Sequence, residues 1–245
     1  MAAFYYANFL LGGEKNEFSN LYRGWTGVLS EWQCGVLDFT EVLMSGSLTL
    51  HRNNFFEFVF PEASFVTKAF LVLGCSVLMA LSSRFSLPLP FTPVPVTGQT
   101  FAVFLLAGVL GWRMAMAAQL LYLAQGLAGL PVFSPGGTWG FARLAGPTGG
   151  YLLGFLAATW IIGWLADRGY GKRLGSALGM MLLGEFAIYL IAIPWLKEIM
   201  RVGWTQALNL GFWPFLIGDL YKMGLAAFLL PGGWRLLGKM GHRQA

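Results

Sequence analysis

The chain has 245 residues, 56% hydrophobic and only 11% charged, with a formal net charge of +5. A soluble domain carries about 25% charged residues, and long apolar runs recur after residue 65, so the composition excludes an ordinary soluble domain and indicates a polytopic membrane protein. The positive charge does not indicate nucleic-acid binding, because the basic residues stand between apolar runs and form no patch, as in positive-inside loops.

Residues 1–62 read differently from the rest. Glu14, Lys15, Glu17, Arg23, Glu31, Asp38, Glu41, His51 and Arg52 are mixed with scattered aromatics, and no apolar run is long enough to span. This segment is expected to be an N-terminal extension, surface-lying or poorly ordered, with Met44 as an alternative start. No basic start, apolar core and small-residue cleavage site follow one another, so no signal peptide is read. Cys34 and Cys75 imply no disulfide, because Cys75 lies within an apolar span as a small packing residue. His51 and His242 stand in different polar regions and suggest no metal site.

A transmembrane domain is expected over residues 63–245, with six spans at about 66–83, 98–110, 113–129, 149–166, 176–195 and 213–231. Only Gly111, Trp112 and Arg113 separate the second from the third, which predicts a tight helical hairpin. With six spans, Arg113, Arg168, Lys172, Arg173, Arg235, Lys239 and Arg243 fall on one side of the bilayer, and Arg84, Arg143, Lys197 and Arg201 on the other. The richer side, which also holds both termini, is expected to be cytoplasmic.

Two loops on the opposite side are unusual. Ser86 to Gly98 carries prolines at 88, 90, 93 and 95, which fix φ and remove donors, so it is no regular helix. Leu130 to Gly150 is rich in glycine, which permits close-packed backbone. Both are too apolar for ordinary solvated loops. Irregular backbone of that kind is tolerated where it packs on protein or lines a cavity, and both are read as lids.

The sixth span carries Asp219 and Lys222. An ionisable residue at a span centre costs roughly 2.5–3.5 kcal/mol on insertion scales. Three residues of separation put the two about 60° apart on one helix face, where a neutral pair offers an acceptor beside a donor. Gln99 opens the second span on the lid side, and Arg143 and Tyr151 belong to the second lid and the start of the fourth span. Topology therefore gathers a carboxylate, an ammonium, a guanidinium, an amide and a phenol at one end of the bundle. That set suits an amphipathic anion with several hydrogen-bonding atoms, with Phe91, Trp139 and Phe141 as cover for its hydrocarbon part. Each residue also has a plainer reading: an ion pair locking the helix for Asp219 and Lys222, a solvated loop charge for Arg143, a helix-start residue for Gln99, and an interface anchor for Tyr151. Glu185, in the middle of the fifth span, stays open between pairing with a basic group and marking a second polar site. The chain has no Gly-x-x-x-x-Gly-Lys-Ser/Thr loop, no His-Glu-x-x-His and no Gly-x-Ser-x-Gly, so no catalytic residue is assigned.

Three motifs, in order, resemble one family. Pro90-Phe91-Thr92-Pro93-Val94-Pro95-Val96-Thr97-Gly98-Gln99-Thr100 resembles the first-loop signature of the BioY family of biotin-transport proteins. Gly129-Leu130-Pro131-Val132-Phe133 with Gly146-Pro147-Thr148-Gly149-Gly150-Tyr151 resembles its second signature, and Gly218-Asp219-Leu220-Tyr221-Lys222 its third. The resemblance covers roughly residues 66 to 237. It implies an all-α six-helix S component of an energy-coupling-factor transporter in the cytoplasmic membrane, with no enzymatic cofactor. Biotin would be its transported substrate, and a transmembrane coupling protein and ATPases its partners. On the matching positions it would place Asp219, Lys222 and Gln99 at the polar ring of biotin, Arg143 near its carboxylate, and Tyr151 in the pocket wall. The docking pattern Ala-x-x-x-Ala of S components has its nearest match in Ser76-x-x-x-Ala80, which ordinary internal packing of small residues explains equally well. Gly98 departs from the bulkier apolar residue expected before Gln99, which predicts a looser lid. The rival readings are another small vitamin in the same fold, a membrane enzyme using Asp219 as acid or base, and a structural assembly factor.

Overall fold

The computed structural model describes residues 55–60 and 62–241. Most of the expected N-terminal extension, the alternative start at Met44, and Cys34, His51 and His242 lie outside the described residues. Helix α1 (Phe55–Val59) already belongs to the packed unit. Phe56 is 5% exposed within the core, and the rings of Phe55 and Phe58 stand edge-on to Trp234 at 5.6 and 5.4 Å. Packing thus begins several residues before the boundary expected at 63, and the two ends of the described chain meet at one end of the bundle.

Among the described residues five helices are long and apolar enough to cross a membrane: α2 (Phe65–Arg84), α3 (Gln99–Leu127), α5 (Gly149–Asp167), α6 (Leu174–Met200) and α8 (Trp213–Gly241), the last over Trp213–Leu236. The count of six is recovered inside α3, where Gly111 is non-helical at φ 73° and ψ 175°. The side-chain amide of Gln99 donates to the hydroxyl of Tyr122 at 2.6 Å. A straight helix would hold residues 23 apart about 34 Å from each other, so the halves of α3 fold back on one another as the predicted hairpin. Only glycine adopts that φ without strain. The turn is held by the Trp112 N–H, which donates to Asp167 Oδ2 at 3.3 Å. Close approach explains Gly163 as well, since a Cβ there would lie 2.5 Å from the Trp112 nitrogen.

The other spans agree with the expected limits to a few residues, except that α6 runs on to Met200 and α8 continues through Pro231. Helix α2 is capped by Ser64, whose hydroxyl accepts from the Thr67 N–H at 3.2 Å. It turns only the Cys75, Ser76, Met79 and Ser83 face inward and lies on the outside of the bundle. Helices α5 and α6 pack closely at Gly154, where an added Cβ would stand 2.9 Å from the Ile188 Cα.

At the end of the bundle away from Gly111, three connections interlock. Strands β1 (Ser86–Leu87) and β2 (Val96–Thr97) pair antiparallel, Ser86 opposite Thr97 and Leu87 opposite Val96, so the first lid is a proline-tipped hairpin. The second lid contains the short helix α4 (Phe141–Leu144), and the third connection holds α7 (Trp204–Gly211), which sequence periodicity did not reveal. The Ser83 hydroxyl donates to the Val132 carbonyl at 2.6 Å and that of Thr92 to the Leu210 carbonyl at 2.6 Å. The Trp195 indole donates to the Gly146 carbonyl at 3.0 Å.

Gly98 proves to be part of this closure and does not loosen it. Its N–H donates to the Phe85 carbonyl at 2.9 Å, and a Cβ on it would meet the Ser82 carbonyl oxygen at 2.9 Å. Gly98→Val is therefore expected to destabilise the protein by about 1–3 kcal/mol, as overpacking does. A fall in the unfolding midpoint of the detergent-purified protein is the readout; an unchanged midpoint would show that the hairpin yields freely.

Candidate functional site

Beneath the lids a cavity opens between the start of α3, the two proline- and glycine-rich loops, α5, α6 and α8. Gln99, Arg143, Tyr151, Asp219 and Lys222 all line it. The i, i+3 spacing in α8 brings Lys222 Nζ to 2.9 Å from Asp219 Oδ1, and the Tyr189 hydroxyl from α6 donates to Asp219 Oδ2 at 2.6 Å. Asp219 is 5% exposed, with both carboxylate oxygens engaged by the protein. Lys222 is half-buried and keeps further N–H donors.

Gln99 sits at the first turn of α3, held from both sides. Its Nε2 donates to Tyr122, whose ring is fully buried edge-on to Phe133 at 5.5 Å, and its Oε1 accepts from the Thr97 hydroxyl at 3.3 Å. Tyr151 is buried, and its hydroxyl donates to the Gly211 carbonyl at 2.5 Å. Its phenol therefore ties α5 to α7, while its ring walls the cavity 6.1 Å from the Phe215 ring.

Arg143 is carried by α4, which follows Gly140 at φ 63°. It is buried, donates to the Ser134 hydroxyl, and lies against Gly137, where any side chain would displace the guanidinium. Burial lowers its pKa from the usual arginine value, yet a guanidinium stays charged in proteins. Among the described residues no carboxylate pairs with it. Charge removed from water needs a counter-charge, and a buried cation so placed has the chemistry to accept an anionic group.

The hydrocarbon wall differs from expectation. Phe91, Trp139 and Phe141 are exposed and do not line the cavity. Phe133, Phe155 and Phe215 take their place. An aromatic residue in an apolar loop reads alike whether it faces lipid or ligand, so composition alone could not separate the sets. Tyr189 and Ser134, both absent from the expected site, line the cavity too. Tyr189 was traceable, since it lies four residues after Glu185 and shares its helix face. Glu185 lines the same cavity and is buried, so it marks no second polar site, and among the described residues it forms no ion pair with a basic group. Among the described residues no group of His, Cys, Asp and Glu has the arrangement of a metal site.

Ser76 and Ala80 lie on the inner side of α2. Ser76 is 0% exposed, donates to the Leu73 carbonyl and accepts from Gln125 Nε2 of the second half of α3 at 3.3 Å. Ala80 is half-buried against the core. This placement supports internal packing of the pair over docking of a partner helix.

The family model described as "BioY family" matches residues 52–239. The chain is 41% identical over 152 residues to the biotin transporter BioY2 of Lactococcus lactis subsp. cremoris (strain MG1363), covering 62% of this chain and 81% of that protein. It is 33% identical over 164 residues to the biotin transporter BioY of Rhizobium etli (strain ATCC 51251 / DSM 11541 / JCM 21823 / NBRC 15573 / CFN 42), covering 64% and 87%. The fold is similar to the crystal structure at 2.1 Å of the S-component for biotin from an ECF-type ABC transporter. The TM-score is 0.62, with 24% identity over 68% of this chain and 89% of that one. A family match across both lids and every span, with relatives nearly as long as the transmembrane unit, leads to one conclusion: the chain belongs to the BioY family.

Proposed function

We propose that this chain binds biotin at the cavity beneath the lids and carries it across the cytoplasmic membrane as the S component of an energy-coupling-factor transporter. One observation carries the reading: a single buried cavity joins an acid–ammonium pair, Asp219 and Lys222, to a guanidinium, Arg143, that has no carboxylate partner among the described residues. Biotin has the complementary groups. Its cyclic urea has two N–H donors and a carbonyl acceptor, and its tail ends in a carboxylate. The urea meets Asp219, Lys222 and Gln99, the tail carboxylate meets Arg143, and Phe133, Phe155 and Phe215 cover the hydrocarbon between. A vitamin without an anionic group would leave Arg143 uncompensated, which disfavours a neutral or cationic vitamin as the substrate.

Transport follows from this binding in three steps. Biotin enters from the side of the proline- and glycine-rich loops, which is the outer side on the distribution of Lys and Arg. The interlocked loops close over it and exclude water, which strengthens each charged hydrogen bond. Inward release needs the bundle to reorient. The chain has no phosphate-binding loop of its own, so partner ATPases acting through a transmembrane coupling protein supply the work.

Two substitutions test the assignment by calorimetric titration of the detergent-purified protein. Asp219→Asn is expected to weaken biotin binding more than about tenfold, because a desolvated hydrogen bond to a charged group contributes roughly 1.5–3 kcal/mol; unchanged affinity would return the ion pair to a purely structural role. Arg143→Ala is expected to weaken biotin about tenfold or more while leaving the neutral biotin amide, itself a weaker ligand, nearly unaffected. Equal losses for acid and amide would move the carboxylate away from Arg143.

A further inference from the structure

Glu185 is the buried acid that the binding scheme leaves unused. It lies in α6 one turn before Tyr189, lines the cavity together with Asp219 and Lys222, and is 7% exposed. Its Oε2 is buried and has no hydrogen-bond partner among the described residues. The Tyr189 hydroxyl and the Lys222 ammonium near it are bonded to Asp219. An acceptor removed from water inside a membrane protein and left unpaired is unfavourable, and is kept where a ligand completes it. The polar end of the cavity thus holds two carboxyl groups and one ammonium, an excess of acceptors over donors.

The geometry points to Glu185 as a specificity-determining residue whose Oε2 accepts one N–H of the cyclic urea, while Asp219 accepts the other and Lys222 donates to the urea carbonyl. This rests on the biotin reading above and adds a residue to it. Two carboxyl acceptors and one ammonium donor lining one cavity supply the kinds of group that an edge presenting N–H, C=O and N–H requires. The arrangement discriminates against any ring lacking one N–H, because a site built to pair a donor is left with a buried orphan when that donor is missing.

The test is an equilibrium titration of three ligands: biotin, and the two cyclic carbamates in which one or the other ring N–H is replaced by an ether oxygen, so that a donor is lost without added bulk. The proteins are the full-length chain, Glu185→Met, which keeps length without an acceptor, and Glu185→Gln, which keeps a carbonyl acceptor. Glu185→Met is expected to weaken biotin about tenfold, and Glu185→Gln to recover most of that loss. One carbamate is expected to bind Glu185→Met at least as well as the unsubstituted protein, and the other to lose affinity as biotin does. Unchanged biotin affinity in Glu185→Met, or an equal loss for all three ligands, overturns the inference. If Glu185→Met does not fold, Glu185→Gln decides, because its amide can donate to a ring ether oxygen that a carboxylate repels: the inference stands if the affinity gap between biotin and one carbamate narrows while the gap for the other is kept, and falls if all three affinities are unchanged or shift equally. Failure of the unsubstituted protein to bind biotin overturns the parent reading, and this inference with it.

Discussion

Hydrocarbon offers no hydrogen bond to a carboxylate, so Asp219 must find its partners within the protein. It finds them in two directions. Lys222 reaches it along α8, and Tyr189 reaches it from α6. The first contact is local and neutralises the charge; the second joins the last two spans through a polar bond at membrane depth. Gln99, tied to Tyr122, does the same for the two halves of α3. Polar side chains that are costly near lipid thus become the pins that register the helices, and the cavity is the space they leave between them.

The same economy of pairing shapes the lids. The Thr92 hydroxyl of the first lid donates to the Leu210 carbonyl of the third connection, and the Ser83 hydroxyl of α2 and the Trp195 indole of α6 donate to carbonyls of the second lid. A loop rich in proline has few backbone donors, and here the Thr92 side chain supplies the one that ties the first lid to the third connection. The result is an interlocked cap in which movement of one loop disturbs the others.

Length and apolarity dominate the sequence signal for a membrane helix, which is why the spans were legible and why Gly111-Trp112-Arg113 announced the hairpin. The polar site was legible for a related reason: Asp219, Lys222 and Gln99 stand out against an apolar background, and topology alone brings Arg143 and Tyr151 to the same end. Features that depend on which way a side chain faces were not legible. Phe91 and Phe133 belong to similar loops, yet only Phe133 turns into the cavity. Ser76 and Ala80 present a small-residue spacing that fits a docking surface or an internal seam, and the bond from Gln125, which supports the seam, is visible only in the structure. Helix α7 escaped notice because it is one short element inside a longer connection.

The hairpin in α3 carries a consequence for the bilayer itself. Its first half, Gln99–Leu110, rises only about 18 Å at 1.5 Å per residue, whereas the hydrocarbon layer is about 30 Å thick. With Gly111 at one surface, Gln99 lies well short of the other, and the proline loop before it fills the remaining depth. That loop is apolar because it occupies lipid-level space, where a solvated sequence would fail. The floor of the cavity thus sits in a well within the membrane, and lipids bordering the short first half of the hairpin must thin or tilt to meet it. Bilayer thickness becomes a physical variable of the protein: thicker membranes deepen the well and lengthen the path from solvent, and thinner ones bring the headgroups toward the level of Gln99.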